Sequence, residues 1–258
     1  MTSPNAVSRR IRETRQKLGL SQAQLAHPEL SDSYISLIES GSRTPTESAL
    51  RIIASKLNCS VDYLIYGVES GKIERIESAL DEARRALESG ERSQARQLYL
   101  DLLAEPDISL LPQHYQKATY GSALAAEACG DLDEAIRTLL VLREDRNSLS
   151  DEIRIGSALA LSRCYRDRGE FDQAIEVAER ELAAMAGKGW TDHLLELGAT
   201  LLSSYFERGD LLRAKQYSGQ LLAAAEELGT PRAIVAANWN AAIVSQTLGD
   251  NEEALSRI

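Results

Sequence analysis

Residues 9–65 read RRIRETRQKLGLSQAQLAHPELSDSYISLIESGSRTPTESALRIIASKLNCSVDYLI. The pattern predicts five short helices. Val7, Ile11 and Leu18 mark an apolar stripe on a first helix over residues 7–18, set among Arg9, Arg10, Arg12, Arg15 and Lys17 and ended by Gly19. Ser21 caps a short second helix carrying Gln22, Leu25 and Ala26, which Pro28 breaks. Ser31 caps a third over 32–40, stopped by Gly41. Pro45 and Thr46 open a fourth, with Leu50, Ile53, Ala54 and Leu57 on one face. Ser60 caps a fifth over 61–66, before Gly67. Leu25, Ala26, Ile35, Ile38, Leu50, Ile53, Leu57 and Leu64 form the expected core.

A short link between the second and third helices is helix-turn-helix geometry. It leaves Asp32, Ser33, Ser36 and Leu37 on the outward side of the third helix, whose N-terminal side chains reach base edges when such a helix enters the major groove. The quoted string closely resembles the lambda-repressor-like, Xre-type DNA-binding domain. By that resemblance Gln22 is a phosphate contact, Asp32, Ser33, Ser36 and Leu37 face bases, and Tyr34, Arg43 and Thr44 fall where backbone contacts are common. Glu39 and Gly41 fit the family's E-x-G after the recognition helix. One departure stands out: the HPE link at residues 27–29 is one residue shorter than the commonest form and contains Pro28, which predicts an altered angle between the two helices. Asp32 has two readings, acceptor for a cytosine amino group or favourable charge at the positive end of its own helix; the second is the stronger.

From residue 90 a second pattern takes over: GERSQA at Gly90, GDLDEA at Gly130, GEFDQA at Gly169, GDLLRA at Gly209 and GDNEEA at Gly249. The intervals are 40, 39, 40 and 40 residues. Each glycine ends a helix, the acidic residue caps the next, and the alanine five positions on permits close helix approach. The predicted helix pairs are 75–88 with 92–104, 114–129 with 132–143, 152–168 with 171–185, 190–208 with 211–228, and a helix at 232–248. This resembles tetratricopeptide repeats, with a period longer than the usual one. The expected fold class is therefore all-α: a five-helix helix-turn-helix domain over 1–68, then an α-solenoid of tetratricopeptide-like helical hairpins over 69–258. A repeat stack needs its end covered, so the array is expected to continue beyond Ile258 or to be completed by a partner.

Charge divides along the same line. Residues 1–68 carry eight Arg or Lys against six Asp or Glu, and the other 190 carry 21 against 33. A mildly basic head on an acidic body fits a DNA reader whose body avoids phosphates. Cys59, Cys129 and Cys164 form no CxxC and are expected to be core residues of a reduced intracellular protein. No apolar leader or membrane span is read at the start, and a cytoplasmic location is expected. His27, His114 and His193 have no metal-ligand spacing, and no nucleotide-binding or hydrolase motif occurs. No cofactor and no enzymatic activity are expected.

Tetratricopeptide arrays commonly bind ligands on the face lined by the first helix of each pair. Family positions place Lys117, Tyr120, Arg163, Arg166, Glu196, Phe206, Glu207, Trp239 and Gln246 there. Arg163 and Arg166 would grip a carboxylate, Phe206 and Trp239 an apolar side chain, and Asn238 and Asn240 a peptide backbone. The whole resembles the tetratricopeptide quorum-sensing regulators of Gram-positive bacteria. That resemblance implies a homodimeric transcriptional regulator on double-stranded DNA, with a signalling peptide or small effector held in the array. The alternative is a DNA-tethered protein-interaction module that recruits a partner protein; a third is an array used for dimerisation alone.

Overall fold

A computed structural model describes residues 4–257. Among them every regular element is helical: fifteen α-helices, two short 3-10 turns and no strand. The chain divides into two compact units, one of residues 1–88 with 97–118 and one of residues 89–96 with 119–258.

The first unit opens with α1 (Pro4–Lys17), α2 (Gln22–Ala26), α3 (Asp32–Glu39), α4 (Glu47–Lys56) and α5 (Val61–Tyr66). The caps explain the boundaries. Ser21 Oγ accepts from the Gln24 amide while Gln24 Oε1 accepts from the Ser21 amide, a closed capping box. Ser31, Thr46 and Ser60 each accept from the amide three residues on. The eight expected core residues are all buried, and Ile11 joins them with no exposure. Leu18 does not belong to the stripe: it is 50% exposed, because α1 ends at Lys17 and the chain turns away at Gly19 with φ 69°. Arg10 extends from α1 to donate to the carbonyls of Leu64 (3.0 Å) and Ile65 (2.5 Å), closing the end of α5 onto α1.

Then follow α6 (Ser70–Glu88), α7 (Arg92–Ala104), α8 (Pro112–Ala128), α9 (Leu132–Leu142), α10 (Asp151–Asp167), α11 (Phe171–Ala184), α12 (Asp192–Glu207), α13 (Leu211–Leu228), α14 (Pro231–Thr247) and α15 (Asn251–Ser256). All five turn glycines have φ between 78° and 86°. Every alanine five residues later is buried, from 0% exposure at Ala95, Ala135, Ala174 and Ala214 to 7% at Ala254. The acidic caps split by side-chain length. Asp131, Asp210 and Asp250 each accept from the amide three residues on. Glu170 makes no such bond and pairs with Arg168 at 2.6 Å instead. One extra methylene carries the carboxylate past the amide, a difference worth about 1 kcal/mol per helix end.

In the second unit, consecutive helices from α9 onward pack side by side, and α12 also meets both α10 and α14. Two mid-helix glycines fit these contacts. A Cβ on Gly156 would collide with the Tyr120 hydroxyl, and one on Gly198 would sit 2.8 Å from Leu221 Cδ1 and 3.1 Å from Tyr217 Oη. Burial pushes the Tyr120 phenol up to about 12, so it remains a neutral packing group. Glu181 on α11 is fully buried yet charged groups surround it: Arg143 Nη2 lies 2.7 Å away and Arg154 Nε 3.0 Å away. Arg143 also donates to Arg154 O and Ser157 Oγ, fastening the α9–α10 link to α10.

Candidate nucleic-acid interface and the repeat face

On α3, Ile35 and Ile38 turn inward with no exposure, which leaves Asp32, Ser33, Ser36 and Leu37 exposed on the other side. The residues expected to face bases thus lie together on one face. Ser31, not Asp32, is the side-chain cap; the Asp32 carboxylate instead meets His27 Nε2 at 3.0 Å. Ser33 Oγ lies 3.2 Å from Ser31 Oγ. Tyr34 is half-buried, its hydroxyl accepting from the Thr46 amide at 3.4 Å and its ring lying 4.8 Å beneath the Arg43 guanidinium. The Arg43 amide donates to Leu37 O. Arg43 and Thr44 are both exposed just beyond the helix.

What orients this face is a polar clamp that the motif reading did not assign. Glu39, at the C-terminal end of α3, is nearly inaccessible, with 4% side-chain exposure. Arg15 of α1 donates to it twice, Nε at 2.6 Å and Nη2 at 2.8 Å, and Gln22 of α2 adds a third bond at 2.9 Å. Burial by itself would raise the Glu39 carboxyl, but the bonds from Arg15 and Gln22 and the charges of Arg15 and Arg12 outweigh it and hold it below the ordinary glutamate value. Arg15 also donates to Leu20 O. Three helices therefore meet at one carboxylate, and the Gln22 amide nitrogen expected at a phosphate is directed inward. The signal was legible in retrospect, since an arginine on the first helix and a glutamate at the end of the third are what a bidentate pair requires.

The expected ligand face of the array is largely paired with itself. Arg163 forms a two-bond pair with Glu127 of α8, at 2.8 and 2.9 Å. Arg166 holds Asp167 at 2.9 Å and stands 3.8 Å from Glu207 of α12. Glu196 stands 3.9 Å from Arg232 of α14. Phe206 is half-buried against the core. Asn238 and Asn240 donate back to Ile234 O and Ala236 O of their own helix. Trp239, 58% exposed, and Gln246 lie along α14 beside two shallow clefts. The named side chains thus share successive first helices, while their charges answer one another from repeat to repeat.

An exposed polar face on a clamped third helix, followed in the chain by an array of paired helices, defines a helix-turn-helix head joined to a helical-repeat body. Comparison agrees. Residues 11–64 match the helix-turn-helix family and residues 157–189 the tetratricopeptide repeat family, so the head is of Xre type and the array tetratricopeptide-like. Bacillus thuringiensis PlcR in complex with the peptide PapR7 and DNA superposes with a TM-score of 0.56 at 16% identity, covering 98% of this chain and 92% of that one. Apo PlcR gives 0.60 at 16% identity, over 96% and 91%. A Podosopora anserina putative kinesin light chain with nearly identical TPR-like repeats gives 0.59 at 22% identity, over 71% and 91%. These are likenesses of fold. No match was found among curated proteins. No helix among the described residues is long and apolar enough to cross a membrane.

Proposed function

We propose that this protein is a sequence-specific transcriptional regulator in which residues 1–68 read double-stranded DNA and residues 69–258 sense an effector and pair two copies. The observation that carries the reading is the exposed face of α3, held by the Arg15–Glu39–Gln22 clamp. A fixed helix angle and solvent-exposed side chains are what a recognition helix needs in the major groove. As a homodimer the two heads meet half-sites about one helical turn apart, or a multiple of it. The effector acts by binding two arrangements of the dimer unequally. PlcR, whose fold is similar, is described with a peptide and DNA; a short signalling peptide or a small organic effector is the corresponding ligand here, in a quorum-sensing role.

The test is selection of bound genomic fragments by the full chain, repeated with Ser33→Glu/Ser36→Glu. An enriched palindrome with the parent, lost in the variant at unchanged helix content, is the expected outcome. Specific binding retained by the variant would remove α3 from the role.

A second reading, DNA-tethered recruitment of a protein partner, has one observation in its favour. Val235, Trp239 and Ile243 form an exposed apolar stripe along α14, of the kind a partner helix covers. A full chain that sediments as a monomer on its DNA favours it.

A further inference from the structure

The second unit contains a cavity of about 600 Å³ between α11, α12 and α13. That volume suits a small organic molecule. Its buried lining is apolar: Met185, Leu194, Leu201 and Tyr205 are each no more than 6% exposed. Trp190 and Tyr217 are half-buried lining residues, and Tyr205 and Tyr217 meet edge to face with centroids 6.0 Å apart. The exposed polar side chains of the lining are Glu179, Gln220 and Glu227.

We infer that this cavity binds an organic cation, an amine or guanidinium on an apolar body, with the charge between Glu179 and Glu227 and the body against Trp190 and Tyr217. The inference rests on the sensing role proposed above only for its regulatory meaning; it names the chemical class of the effector and places it at residues other than those the repeat pattern predicted.

The charges support it by exclusion as well as by sign. Among the described residues no Arg, Lys or His lines the cavity. Lys188, in the same loop as Trp190, reaches Asp151 at 3.2 Å. Arg154, which touches Met185 Sδ, is held by Asp151 and Glu181. Arg208 and Arg213 stand 5.9 Å from the Tyr205 ring but are paired with Asp172 and Asp210. Glu179 accepts the Tyr205 hydroxyl hydrogen through Oε1, which ties this carboxylate to the aromatic wall. An aromatic-walled, acid-rimmed hollow attracts a cation by ring quadrupole and Coulomb terms together, and the acidic body adds long-range attraction.

The experiment uses three probes of one skeleton, 4-phenylbutylamine, 4-phenylbutanol and 4-phenylbutyrate, titrated into the full chain by calorimetry at neutral pH. The amine should bind at least about tenfold more tightly than the alcohol, and the acid should not bind. Glu179→Gln/Glu227→Gln, both at exposed positions, should lose about tenfold for the amine and nothing for the alcohol. Equal binding of amine and alcohol, amine affinity untouched in the double variant, or no amine binding at all would overturn the inference. DNA affinity measured with and without the amine separates the two levels: an unmoved DNA affinity removes the sensing role assigned to this cavity, whereas the titrations alone decide the site.

Discussion

In the head, Glu39 is gripped by Arg15 and Gln22 at the meeting of three helices; in the array, Glu181 is gripped by Arg143 and Arg154 beneath α11. Both are buried carboxylates with two nitrogen-bearing partners, yet they serve different surfaces. The head's clamp frees a neighbouring polar face, because Asp32, Ser33 and Ser36 remain exposed while the ion pair is sealed inside. Elsewhere in the array charges are drawn into pairs between repeats, Arg163 with Glu127, Arg208 with Asp172 and Arg168 with Asp133. Recognition chemistry is therefore offered openly by α3, while in the array it must be sought where pairing leaves a hollow.

The largest perturbation expected is Glu181→Ala. It leaves Arg143 without its carboxylate and Arg154 with Asp151 alone, and a broken buried pair costs about 3–5 kcal/mol. Urea denaturation of the full chain should show the loss, and a change under about 1 kcal/mol would mean the site behaves as a surface pair.

Glu39→Gln should cost less, about 2 kcal/mol, because it weakens charge-assisted bonds without emptying the space. Here the sign of the pH dependence sharpens the comparison. The folded carboxyl sits below its ordinary value, so its contribution is full above the unfolded value near ~4.3 and is lost as pH falls through the folded one. The stability gap between parent and variant should be constant near neutrality and shrink under acid. A gap that grows under acid would reverse the assignment.

Smallest of all should be Glu196→Gln. Its partner Arg232 is 92% exposed at 3.9 Å, and exposed pairs contribute about 0–1 kcal/mol. Loss of more than that in the same urea titration would show the repeat-face charges acting as a coupled network.

Much of this architecture was legible in the residues. Caps at Ser21, Ser31, Thr46 and Ser60, and a glycine–acid–alanine signature every forty positions, are local chemistry and survive in any folded context. Leu18 was misread because helical periodicity does not reveal where the last turn ends. Arg163 and Arg166 matched a ligand-facing pattern, but a sequence cannot display Glu127 and Glu207 arriving from neighbouring repeats. The lining of the cavity was invisible for the same reason: Trp190, Tyr205 and Tyr217 come from a loop and two helices, with no shared motif. One trace did exist. Gly198, mid-helix in α12, is costly unless something needs its space, and Tyr217 Oη lies within 3.1 Å of where its Cβ would be.

The cysteines, expected in the core, are not all there: Cys164 is buried, Cys59 half-buried and Cys129 exposed where α8 gives way to its turn, and the contrast supplies a clock. Cys129 is exposed beside a turn glycine, whereas Cys164 is buried among Ala123, Ala126, Ile136 and Leu139. Burial pushes the Cys164 thiol up to about 12, so alkylation at neutral pH must wait for that packing to part. With Cys129 reacting as the internal fast standard, the slow labelling of Cys164 times the transient opening of α8, α9 and α10 in the intact protein, and any ligand that tightens the array will lengthen that interval.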